Sequence, residues 1–165
     1  MALPYYPRAG QILVCDFSGF TPPEMVKKRP VILISPKLPY RSEIVTVVPL
    51  STTAPRHNHP YVVKLSKNYH PNELDEEPCW AKCDMVMNIG LFRLSAFKIG
   101  RRTWESPQAT GNDLEAVRRG VILGLGLQSL FMDSGLCYLM HVTRFSGFKT
   151  QLAGQAIRRS MTRPE

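Results

Sequence analysis

Apolar positions fall in short runs separated by proline, glycine and polar residues, the pattern of strands joined by turns. Gln11-Ile12-Leu13-Val14-Cys15-Asp16-Phe17, preceded by Gly10, reads as a first strand. Ser18 to Arg29, with Gly19, Pro22 and Pro23, reads as a loop ending on Lys27, Lys28 and Arg29. Pro30 to Ser35 is a second strand, and its unbroken Val31-Ile32-Leu33-Ile34 run predicts burial on both faces. Glu43 to Val48 is a third, expected to stop at Pro49 because proline has no N–H to give a ladder. Tyr61 to Leu65 is a fourth. The polar stretch Ser66 to Pro78, with Glu73, Asp75, Glu76 and Glu77, reads as an exposed loop. Trp80 to Met87 and Leu91 to Lys98 return to strand composition.

Helical spacing comes late. Leu114, Val117, Val121 and Leu125 recur three and four residues apart and form one apolar face. Asn112, with Glu115 three residues on, resembles a cap at the helix start. Gly120, Gly124 and Gly126 each weaken a helix interior by roughly 1 kcal/mol relative to alanine. Close packing against the sheet or a partner would make them tolerable. Short strands without helices between them, then one helix, predict a mainly β fold: a small antiparallel, barrel-like sheet with a C-terminal helix.

Composition narrows this picture. At 165 residues, 44% hydrophobic and 21% charged, the chain is long enough for one domain with a modest core. Fourteen prolines argue for turns rather than a helical bundle. The longest apolar stretch, Gly120 to Met132, is interrupted by Gln128 and Ser129 and falls short of the roughly 20 residues of a membrane span. The start of the chain shows no basic region leading into an apolar run, so the expected location is cytoplasmic. The formal charge of +8 suits a polyanionic partner, or simply solubility. Half of that excess lies in residues 134–165, where five basic side chains face one acid. The expected division is a barrel domain over 1–132 and a basic extension over 133–165.

Cys79 and Cys83, with His70 upstream, raise a zinc site, but a second close ligand pair is missing and reduced structural cysteines are the alternative. No GxGxxG, GxxxxGK[ST] or HExxH motif occurs, which disfavours nucleotide-dependent chemistry. Polar groups near strand ends suggest chemistry instead: Arg29 before a buried strand, Ser51-Thr52-Thr53 after Val48-Pro49-Leu50, and Lys82-Cys83-Asp84. A guanidinium among hydroxyl, ammonium and carboxylate groups suits a phosphate diester, which it can bind bidentately. The plainer readings are a solvated Arg29, a Ser/Thr turn and an Asp84 paired with a nearby lysine.

These same segments carry a resemblance. Gly10 to Phe17, Lys28-Arg29-Pro30-Val31-Ile32-Leu33-Ile34-Ser35, Val48-Pro49-Leu50-Ser51-Thr52-Thr53, Pro60-Tyr61-Val62-Val63 and Lys82-Cys83-Asp84 resemble, in order and spacing, the PemK/MazF family of toxin–antitoxin growth inhibitors. The resemblance covers about residues 8–130 and implies an SH3-like barrel with a terminal helix and a homodimer. It implies an endoribonuclease acting on single-stranded RNA with no metal or cofactor, and a small acidic antitoxin as partner. The substrate's 2′-hydroxyl is then the nucleophile, and the products are a 2′,3′-cyclic phosphate and a 5′-hydroxyl. By this resemblance Arg29 stabilises the phosphate, Ser51 or Thr52 positions it, Asp84 serves acid–base work, and Lys27, Lys28 and Lys82 bind RNA. Lys82 stands where one branch of the family has arginine, and Ser51 where threonine is usual. A catalytically weakened RNA- or antitoxin-binding protein of the same fold is the second reading, and a protein-interaction module the third.

Overall fold

The computed structural model describes residue 3 and residues 5–129; the expected basic extension over 133–165 lies outside them. Among the described residues nine strands and one α-helix follow in chain order: β1 (Ile12–Cys15), β2 (Arg29–Leu33), β3 (Ile44–Ser51), β4 (Val62–Lys64), β5 (Trp80–Lys82), β6 (Met87–Gly90), β7 (Leu94–Ser95), β8 (Phe97–Lys98), β9 (Trp104–Glu105) and α1 (Gly111–Gly124). Every strand pairing is antiparallel. The main sheet runs β4-β5-β3-β2-β1-β7, with β6 also on β3, and β8-β9 form a separate ribbon.

The mainly β fold with a C-terminal helix is as expected, but its barrel is not closed. Among the described residues β4 and β7, the ends of the path, do not pair with each other, and β7 is only two residues long. Strand β3 continues through Pro49 instead of stopping there. Val45 to Val47 pair with β6, Leu50 and Ser51 pair with β5, and Pro49 has a partner only on β2. The missing N–H therefore falls where β3 changes neighbours, and no ladder bond is lost.

The unbroken apolar runs are explained by two cores, one on each side of the sheet. Alternation sends Ile12, Ile32, Val48 and Leu50 into a core with Ala81, Cys83, Val117 and Val121 of the helix side. Their neighbours Leu13, Val31, Leu33 and Val47 enter a second core with Phe17, Ile89 and Leu94. The segment Trp80 to Met87 is not one strand: a 3-10 turn at Cys83–Met85 separates β5 from β6.

Helix α1 starts two residues earlier than the expected Asn112 cap. Thr110 is its N-cap, and its side chain accepts the Asp113 N–H. Val117 and Val121 are buried and Leu114 half-buried, but Leu125 is 55% exposed just past the helix end. The three glycines divide their work. Gly126, at φ 69°, ends the helix: its N–H bonds Leu123 O and the Leu127 N–H bonds Ile122 O, closing a Schellman motif. Gly120 and Gly124 mark the helix face that lies closest to the 3-10 turn. A Cβ at Gly120 would stand 2.6 Å from Cys83 Sγ and 2.8 Å from Val63 Cγ2, and one at Gly124 would stand 3.3 Å from the Asp84 Cα. Arg118 further ties α1 to the sheet by donating from Nε and Nη2 to the Ile34 carbonyl.

Gly120→Ala therefore sets a helix-propensity gain of up to about 1 kcal/mol against overpacking of a buried contact that costs about 1–3 kcal/mol. Net destabilisation is expected, measured as a lower urea midpoint. Gly111→Ala, where a Cβ meets nothing within 4 Å, is the control expected to be neutral or stabilising.

Candidate active-site cleft

Strands β2 and β3 deliver their polar ends to one place. Arg29 begins β2 opposite Cys15 of β1, and Ser51 ends β3 opposite Trp80 of β5. Both line a cleft of about 180 Å³ together with Thr52, Pro30, Ile12, Leu50, Cys79 and, from the β4–β5 loop, Asn68, His70 and Glu73. Arg29 is half-buried, and among the described residues its guanidinium has no ion-pair partner. Ser51 Oγ accepts the Thr53 N–H at 3.2 Å, which leaves the hydroxyl proton free to donate. A guanidinium without an ion-pair partner among the described residues and a hydroxyl free to donate, in a cleft also lined by Ile12 and Leu50, have the chemistry to hold a phosphate group.

The other sequence candidates lie elsewhere. Lys28 is on the β1–β2 loop, 3.3 Å from Asp16, whose carboxyl is held down at about 2, first by the Ser18 hydroxyl. Lys27 is exposed on the same loop. Lys82 is half-buried at the end of β5, and Asp84 is exposed on the 3-10 turn beside Gly124; neither lines the cleft. Asp84 makes no ion pair with a lysine among the described residues.

The β4–β5 loop is where the sequence expectation needs correcting. It is polar, but Asn68 and Tyr69 are buried in it. Asn68 Oδ1 accepts the His70 N–H at 3.0 Å, and Asn68 Nδ2 donates to Glu73 Oε2 at 2.7 Å. The His70 ring packs edge-on against Phe97 of β8, centroids 4.8 Å apart. The loop is thus folded as a wall of the cleft.

The family described as PemK-like, MazF-like toxin of type II toxin-antitoxin system matches residues 8–123. The chain belongs to this family. It is similar to an uncharacterized Escherichia coli K12 protein, YifN, with 29% identity over 157 residues, 79% of this chain and 99% of that one. Among solved structures it is similar to MazF from Deinococcus radiodurans, at 22% identity and a TM-score of 0.53, covering 74% of this chain and 98% of that one. An endoribonuclease from Mycobacterial species, solved in complex with its cognate antitoxin, gives 18% identity and a TM-score of 0.51 over 73% of this chain and 96% of that one. At these identities the structural likeness shows the PemK/MazF fold.

Of the polar residues that line the cleft, Arg29, Ser51 and Thr52 were expected from the sequence and Asn68, His70 and Glu73 were not. The available signal was Asn68-Tyr69-His70: an Asx-turn former, an aromatic and an imidazole inside an otherwise acidic loop. The cysteines Cys15, Cys79 and Cys83 are buried. Burial pushes the Cys79 thiol up to about 11, reinforced by Glu73, so the cleft thiol is a poor nucleophile. The same cause lifts Cys15 and Cys83 to about 12.

What fixes the loop is Asp113, a carboxylate only 6% exposed in the first turn of α1. It accepts the Ser66 N–H, the Ser66 hydroxyl at 2.6 Å and the Tyr69 hydroxyl at 2.6 Å. Tyr69 Oη in turn accepts the Thr110 N–H at 3.1 Å. Burial pushes this carboxyl up, but the hydrogen bonds from Ser66, Tyr69 and Thr110 outweigh it and hold it below the ordinary carboxylate value. Its stabilisation is therefore present above the unfolded-state pKa and lost as pH falls through the lower folded value. Asp113→Asn turns one acceptor into a donor facing donors. It is expected to lower stability near neutral pH by about 1–3 kcal/mol and to flatten the acid limb of stability against pH, both read from urea unfolding.

Proposed function

We propose that the chain is an endoribonuclease toxin that cleaves single-stranded RNA at the Arg29–Ser51 cleft. The observation that carries this reading is the meeting of Arg29, Ser51 and Thr52 in one cleft of a PemK/MazF-family chain. In the proposed reaction the substrate's 2′-oxygen forms a bond to phosphorus while the bond from phosphorus to O5′ breaks. The 2′-hydroxyl gives up its proton and the departing O5′ gains one, which yields a 2′,3′-cyclic phosphate and a 5′-hydroxyl. Arg29 offsets the charge that builds on the non-bridging oxygens, so the reaction needs no metal or cofactor. Ser51, or Thr52 beside it, holds the phosphate by its hydroxyl. Lys27, Lys28 and Lys82, none of them in the cleft lining, act on the flanking RNA backbone. Asp84 is exposed and outside the lining, so a proton-transfer role for it requires the RNA or the 3-10 turn to close that gap.

Two partners complete the proposal: a second copy of the chain, and a small acidic antitoxin. Membership of a toxin–antitoxin family supports both, and a cytoplasmic location goes with the proposed RNA substrate. Among the described residues no helix is long and apolar enough to cross a membrane. A catalytically weakened RNA- or antitoxin-binding protein is the second reading, favoured by Lys82 in place of arginine and by the position of Asp84.

Cleavage of RNA in EDTA, with the ends mapped, separates the two. Arg29→Ala is expected to reduce cleavage by about 100-fold or more, and Arg29→Lys by about tenfold or more because the bidentate fork is lost. Undiminished cleavage by Arg29→Ala would sink the site. Sedimentation at micromolar concentration is expected to show a dimer, and the cognate antitoxin is expected to displace uncleavable RNA from it, with both affinities weakening as salt rises. A strict monomer, or a stable complex holding RNA and antitoxin together, contradicts the corresponding partner.

A further inference from the structure

His70 stands in the cleft in a state that its hydrogen bonds define. Its Nδ1 accepts the backbone N–H of Asn72 at 3.3 Å, so the ring proton is assigned to Nε2. Nε2 itself bonds nothing among the described residues, and no buried side-chain nitrogen or oxygen there lacks a partner, so Nε2–H is open to solvent, on a residue that lines the cleft. Two contacts hold the ring, the Asn72 N–H on Nδ1 and the T-shaped packing with Phe97, and the backbone beneath it is held by the His70 N–H on Asn68 Oδ1. The side chain is only a quarter exposed. Glu73, the carboxylate of the same wall, lies on the other edge of the ring, with Oε1 4.0 Å from Nδ1 and Oε2 held by Asn68.

We propose that His70 is a phosphate-binding residue of this site, donating its Nε2–H as a hydrogen bond to a non-bridging oxygen of the bound phosphate, alongside Arg29 and Ser51. The inference rests on the ribonuclease reading and adds a third donor to it. No proton changes hands at His70. Proton abstraction by Nε2 would require the ring proton on Nδ1, which removes the Asn72 hydrogen bond and leaves that proton facing a carboxylate beyond hydrogen-bond reach. A neutral, preoriented N–H needs no such rearrangement, and a donor aimed at developing charge is the more effective for being fixed in advance. The placement also gives the β4–β5 loop a purpose: Asp113 and Asn68 hold it so that an imidazole joins the lining of the cleft.

The test uses the full-length chain and three readouts: RNA cleavage, binding of a mixed-sequence 2′-fluoro RNA pool that cannot be cleaved, and thermal unfolding. His70→Ala is expected to lose about 100-fold in kcat/KM, in the range seen for a lost oxyanion donor, and to bind the pool more weakly. His70→Gln, which can present an amide N–H, is expected to recover most of both losses. Ring packing on Phe97 is lost in both variants, so a merely structural residue gives equal losses in the two. A proton-transferring residue leaves His70→Gln as inactive as His70→Ala. Either result overturns the proposal, as does wild-type cleavage by His70→Ala. If the wild type cleaves no RNA, the ribonuclease reading fails on its own. The binding arm still decides His70: unchanged pool binding by His70→Ala overturns the proposal, and weaker binding restored by His70→Gln upholds its phosphate contact.

Discussion

The carboxylate of Asp113 is the joint on which the cleft depends. It belongs to the first turn of α1, where a negative charge is favoured by the free N–H groups of the helix end. Its carboxylate oxygens accept from the start of the β4–β5 loop, through Ser66 and Tyr69. A buried charge costs several kcal/mol unless hydrogen bonds replace its water, and here they do. Tyr69 closes the circuit, because its hydroxyl donates to Asp113 and accepts from Thr110, the N-cap of the same helix. Helix position and loop position are thereby one quantity. The loop can be polar and carry four acids over Glu73 to Glu77 yet still fold as a wall, because two of its side chains are buried at its root.

This explains what the sequence made legible and what it hid. Local signals carried the strands: the double-faced Val31 to Leu33 run announced a sheet buried on both sides, and the two cores meet that expectation. Pro49 misled because its rule concerns a ladder that needs the N–H, and at that residue β3 has exchanged one neighbour for another. Leu125 misled because it continues the helical spacing one residue beyond α1, into the turn that Gly126 imposes. In the cleft, Arg29 and Ser51 were visible as polar residues at the ends of apolar strands. His70 was not, since its position depends on an aspartate more than forty residues away in sequence, a long-range contact that no window of the chain reveals.

The Lys82-Cys83-Asp84 run shows how one motif can hold two kinds of information. Cys83 is fully buried and is the nearest atom set to the Gly120 face of α1, so its small size is a packing requirement. That close approach brings the helix against the backbone at Asp84, where Gly124 again has no side chain to interfere. The chain leaves β5 in a 3-10 turn at this place, and the turn carries Asp84 outward. The cysteine at the centre of the motif is therefore explained by the helix seat alone. Its flanking charges, Lys82 and Asp84, are not among the residues that line the cleft with Arg29, Ser51 and His70. The cleft thus depends less on a contiguous signature than on three separate chain segments, each fixed by its own constraint. The strand pairing fixes Arg29 and Ser51, and the buried Asp113 fixes the loop that brings His70 to them.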